Sequence, residues 1–261
     1  MDHGNRAVPR VPGRGKDTSM AVEDDLGRAV GELTEGDADR VTFARTVKLA
    51  ASSLKAAGAK SAASGRWLAE AVLDAVPHIP VRDAATLSAA FGGRTGRALA
   101  EELIRSASRR TAGFGALAGA LAGAHSVAPP TWVAAPAELV AETLAVVAVE
   151  MKLVAELQEV YGMPVTGTPM ERSTAVVVAW AEGRGVTPET LVRPGGVAQV
   201  LGRTSRRELT RMLQRRLARR AVRNMSSLIP LMAGAVAGAE LNRRATRALG
   251  DKVVGDLSSR A

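Results

Sequence analysis

Apolar residues along the chain recur at spacings of three and four, and no stretch alternates convincingly at period two, so the pattern predicts an all-α protein. A short amphipathic helix is expected over residues 22–33; Gly36 interrupts it, and Asp39 starts a better one running to about residue 57. Residues 52–64, mostly Ala, Ser, Lys and Gly, are low in complexity and read as a loop or a frayed end. Another helix is expected over 64–76, ended by Pro77 and Pro80. After a break at Gly92-Gly93, Leu99, Leu103 and Ile104 fall at helical spacing and open a long helix over 95–124. Pro129-Pro130 closes that segment, and Pro136 sits in the first turn of the next helix, where a missing N–H does no harm, with Tyr161-Gly162 at its end. The two form a hairpin. Thr168 with Glu171, and Ser205 with Glu208, have the spacing of a capping box, which places helix starts at about 169 and 206; a further short helix is expected after Thr187-Pro188.

Two of these helices carry glycines on one ridge. Gly115, Gly119 and Gly123 fall at i, i+4 and i+8, with Phe114, Leu117 and Leu121 opposite, and Gly234 and Gly238 repeat the spacing near the end of the chain. Glycine in a helix interior costs about 1 kcal/mol relative to alanine, so close backbone contact has to recover that energy. A tightly crossed helix pair does so, as does a small-residue face in or against a bilayer. Neither apolar run cleanly reaches the ~18 residues of a membrane span.

Composition narrows the picture. Aromatic residues make up 3% of the 261, so alanine, valine and leucine must fill the core. The absence of cysteine excludes disulfides and thiolate metal sites and agrees with a reducing, cytoplasmic setting. No basic-then-apolar pattern opens the chain, so secretion is not expected. Residues 1–20, with Pro9, Pro12, Gly13, Gly15 and four basic side chains, read as a disordered tail. An N-terminal helical segment over 21–94 and a main helical domain over 95–261 complete the expected organisation.

The segment from Ala112-Gly-Phe-Gly to Ala128, the helix closing in Glu159-Val-Tyr-Gly162, and the run from Ile229-Pro-Leu-Met to Glu240-Leu-Asn242 together resemble the EcsC family of bacterial proteins. The resemblance covers about residue 98 to the C-terminus. It implies an α-helical protein working near the membrane or a transporter-linked complex, and it carries over no catalytic residue.

Candidate chemistry is sparse. On the helix over 136–161, Glu138, Glu142, Lys152 and Glu156 share a narrow arc, which reads as a solvated face; the alternative is a paired-carboxylate site at Glu138 and Glu142, with Glu150 as a third group. Glu150 instead projects among Val146, Val154 and Leu157, where a carboxylate needs a partner, and a neighbouring arginine is expected. Asn242 lies on the glycine side of its helix and reads as an interhelical hydrogen-bond anchor. His3, His78 and His125 have no ligand spacing, and the phosphate-loop, dinucleotide and nucleophile-elbow motifs are missing, so no metal, cofactor or small-molecule ligand is expected.

The charge has one address. Arg203, Arg206, Arg207, Arg211, Arg215, Arg216, Arg219, Arg220 and Arg223 stand against Glu208 alone, a net of +8 out of the chain's +9. Leu209, Met212, Leu213 and Leu217 give this segment an apolar side. Three uses fit it: a solvated face, an anionic membrane surface, and nucleic acid, the last weakened by the lack of aromatics for base stacking. The expected function is a non-enzymatic protein associated peripherally with the cytoplasmic membrane or a membrane protein complex. A nucleic-acid binder and a carboxylate enzyme are the alternatives.

Overall fold

A computed structural model describes residues 14–36, 39–63, 66–125, 134–185, 210–215 and 231–260. All regular structure among them is helical: α1 (Arg14–Glu32), α2 (Arg40–Ala63), α3 (Arg66–Ala75), a 3₁₀ turn (Val76–His78), α4 (Ala84–Ala90), α5 (Gly96–His125), α6 (Ala134–Val160), α7 (Pro169–Gly183) and α8 (Leu231–Ser258). Residues 210–215 add a short helical stretch. The fold is all-α.

Local chemistry accounts for most of the helix ends. Asp39 accepts from the backbone N–H groups of Val41 (3.2 Å) and Thr42 (2.8 Å) and so caps α2. Thr168 and Glu171 form the full capping box of α7, with Pro169 at its first position. The low-complexity stretch departs from expectation: α2 runs on to Ala63 and breaks only at Gly58, where φ is 77°. Its alanines are strong helix formers, so compositional simplicity did not produce a loop. Asp83 starts α4, a helix without a counterpart in the sequence reading, by accepting from Thr86 N–H at 2.7 Å. α1 begins at Arg14 and takes in residues that composition assigned to the tail, since extending a formed helix costs far less than nucleating one. Residues 1–13 lie outside the described residues, as do the helix starts expected after Ser205 and Thr187.

α6 lies at the centre, touched by α1 to α5, α7 and α8, and every residue from Val140 to Leu157 is buried. α5 and α8 form the most extensive helix pair. Phe43 of α2 stacks on Phe114 of α5 with ring centroids 5.7 Å apart, and buried residues from Leu26 to Leu257 join one hydrophobic cluster. α1 approaches the 3₁₀ turn through Gly27 and Gly31; a Cβ at Gly31 would lie 2.3 Å from the carbonyl oxygen of His78.

Candidate functional site

A helix that is apolar on nearly every side belongs in a protein interior, and α6 takes its charged residues there with it. Glu138, Glu142, Glu150, Lys152 and Glu156 are all at most 5% exposed. The solvated-face reading of the Glu138–Glu142–Lys152–Glu156 arc is therefore overturned: neighbouring helices surround α6, and groups distant in sequence replace water around the charges. The arc also divides. Glu142 and Glu156 are fourteen residues apart, roughly 21 Å along the helix axis, and they meet different partners.

At the later station, Glu156 receives a two-pronged contact from Arg82, at 2.8 Å from Nε and 2.9 Å from an Nη nitrogen. Lys152 sits one turn earlier, with Nζ 3.4 Å from Glu156, 2.9 Å from Glu35 and bonded to the carbonyl oxygen of Pro80. Its hydrogen bond holds the Glu35 carboxyl below the ordinary range, and the Glu156 contact raises the Arg82 guanidinium. Arg110 reaches the carbonyl oxygen of Thr34. The links tie α5 and α6 to residues 34–35 and 80–82.

The earlier station joins α5, α6 and α8 through short side chains. Asn242 Nδ2 donates to Glu142 at 2.8 Å and to the carbonyl oxygen of Thr111 at 3.2 Å. The hydroxyls of Thr111 and Thr246 are 3.0 Å apart. Groups this short can meet only if the helix backbones nearly touch. They do at Gly115, where a Cβ would stand 2.6 Å from the carbonyl oxygen of Gly238. Gly119 is half-buried one turn further on. The surroundings of Gly123 and Gly234 lie outside the described residues.

Glu150, fully buried, accepts from three elements: Trp180 Nε1 at 3.1 Å, the Arg184 guanidinium, whose Nε is 3.2 Å away, and the Thr246 hydroxyl at 3.1 Å. Arg184 is its arginine partner. With donors from α7, α8 and the residue capping α7 on it, Glu150 acts as a strut between helices. Trp180 and Thr246 carry no sequence signal for this role, because their partner is 30 and 96 residues away. Lys152 with Glu156 at i+4 on an apolar helix was the one available hint of a buried charge network.

Of the basic segment, Arg211 and Arg215 are described and exposed, whereas Thr210 just before them and Leu213 between them are buried. Arg203, Arg206, Arg207, Arg216, Arg219, Arg220 and Arg223 fall outside the described residues. Among the described residues, two clefts of about 260 Å³ each are seen. One lies beneath the start of α7, between the end of α6 and the 76–81 segment, with Glu159 and Arg172 in its wall. The other lies among α1, α2 and α3 beside Trp67, Glu23, Glu70 and Asp74. Neither is lined by Glu138, Glu142 or Glu150. Among the described residues there is no helix long and apolar enough to cross a membrane, and no group of three or more His, Asp or Glu side chains arranged to hold a metal.

Comparison with protein-family models, with curated proteins and with solved structures finds no match to this chain.

Proposed function

We propose that the protein is a non-enzymatic helical module that associates peripherally with an anionic membrane surface, at the inner face of the cytoplasmic membrane or at a transporter-linked complex there, through residues 203–223. The observation that carries this reading is the split within 210–215, where Leu213 enters the core and Arg211 and Arg215 stay at the surface. Over 210–215 the apolar side faces the domain and positive charge is presented at the surface, with little apolar surface left there to insert. The association is then mainly electrostatic. Each basic residue at an anionic surface contributes roughly 1 kcal/mol, and about four or five arginines can face it at once on a helix. The resemblance to the EcsC family points to the same niche. The buried α6 carboxylates support the non-enzymatic half of the reading: Glu150 is occupied by structural donors and Glu142 by Asn242.

Flotation with vesicles of phosphatidylcholine and phosphatidylserine in equal parts tests the proposal. The wild type should float with them at low salt and detach as salt rises past the screening range. Replacing Arg215, Arg216, Arg219 and Arg220 by glutamine should abolish flotation, with far-UV circular dichroism checking that the variant stays folded. A wild type that ignores the vesicles but retains duplex DNA overturns the membrane reading in favour of nucleic acid. Binding to neither leaves 203–223 as a solvated or protein-docking face.

A further inference from the structure

The cleft beneath the start of α7 holds charges without partners, unlike the two stations on α6. Its walls are polar and apolar in nearly equal part, the apolar part made by Val76, Ile79, Ala155, Val165 and Val176. A dry cavity of ~150 Å³ accommodates benzene, so the 260 Å³ here suits a compound of about ten non-hydrogen atoms by the same measure. Glu159 and Arg172 both line this space. Among the described residues, neither is hydrogen-bonded or ion-paired through its side chain, to the other or to a third group.

Glu159 is in a poor position for an unaccompanied carboxylate. It is half-buried, and it is the last residue but one of α6, where the exposed carbonyl ends of the helix disfavour negative charge. Burial pushes its carboxyl above the ordinary range, and the nearby Asp83 adds to the effect. Elsewhere on α6 the chain supplies Arg82, Lys152, Arg184 or Asn242 to such groups. At Glu159 it supplies an open cleft of mixed lining, with the guanidinium of the exposed Arg172 in another part of the wall.

We propose that this cleft binds a small zwitterion with an apolar body, of the form of a branched aliphatic amino acid, its ammonium group on Glu159 and its carboxylate on Arg172. A ligand carrying both charges satisfies both side chains, whereas a simple cation leaves Arg172 opposed and a simple anion meets Glu159. The apolar part covers Val165 and Val176, and the Ser173 hydroxyl in the lining is a further donor for the carboxylate.

Three probes of one shape separate the contributions on the full chain: L-leucine, 3-methylbutylamine with the ammonium group alone, and 4-methylpentanoate with the carboxylate alone. Calorimetry should show saturable leucine binding about tenfold or more tighter than either half-ligand, the scale of one hydrogen bond to a charged group. Methyl NMR should place it through shifts at Val165 and Val176. Glu159→Gln should weaken leucine and the amine by about tenfold or more while sparing 4-methylpentanoate, and Arg172→Gln should weaken leucine and 4-methylpentanoate by a similar factor while sparing the amine. The wild-type comparison of the three probes needs no variant, and far-UV circular dichroism checks that each variant is folded. Absence of saturable leucine binding, an amine that binds as tightly as leucine, or folded variants with unchanged leucine affinity would each overturn the proposal.

Discussion

Glu150 and Glu159 belong to one helix, nine residues apart and so on opposite faces, about 13.5 Å apart along the axis. Glu150 has no exposure at all, and it receives an indole N–H, a guanidinium and a hydroxyl. Glu159 is only half-buried, with a cleft in front of it and Asp83 nearby. The more deeply buried carboxylate is thus the better satisfied one. Depth of burial by itself does not mark a working group; what matters is whether the fold brings donors to it. A carboxylate surrounded by donors holds helices together, and one that faces a cleft with no donor bonded to it is left for a ligand.

Glu150→Ala should be the most damaging of the substitutions. Removing one member of a buried charged pair typically costs about 3–5 kcal/mol, and the loss here should fall near the lower end because Arg184 is 21% exposed and can turn toward water. Urea denaturation would measure it, and a loss below about 1 kcal/mol, the scale of an ordinary net hydrogen bond, would mean that Glu150 is no strut.

Next in size is Gly115→Ala. The new methyl would meet the backbone of Gly238 and Ala239, which cannot rotate aside, and separating α5 from α8 would also stretch the Thr111–Thr246 contact beside Glu150. Overpacking of this kind costs about 1–3 kcal/mol. Unchanged melting would show that the helices can part without loss.

Weaker effects are expected in the pH dependence, where two carboxyls should respond with opposite signs. Glu35 is held below its ordinary value of 4.5 by the hydrogen bond from Lys152, so its contribution is present above that value and is lost as pH falls through the lower folded one. Glu159 is raised above its ordinary 4.5, so the folded state binds its proton more tightly, and stability falls as pH rises from 4.5 through the higher folded value. Denaturation midpoints across this range should show that Glu35→Gln removes a rise with pH and Glu159→Gln removes a decline. Changes in slope of the same sign, each variant against the wild type, would contradict the assignment.

Much of the fold was legible in local chemistry. Spacings of three and four, the Asp39 and Thr168 caps, the proline breaks at 77 and 80 and the glycine pair at 92–93 act within a turn or two of themselves, so the sequence carried the all-α class and most helix positions. α4 was too short for its periodicity to register. The arc of charges on α6 was legible as an arc, yet its meaning was reversed. A helical wheel shows which residues share a side, and burial depends on how many other helices surround that side. The amino-acid sequence by itself determined that Glu150 lies among apolar neighbours and needs a partner. Only the tertiary structure decided that Trp180, Arg184 and Thr246 meet it, that Gly115 touches Gly238, and that Glu159 has a cleft in place of a cation. The contacts to Glu150 and between Gly115 and Gly238 join residues from 30 to 123 positions apart; their geometry is fixed by helix packing, which no local pattern encodes.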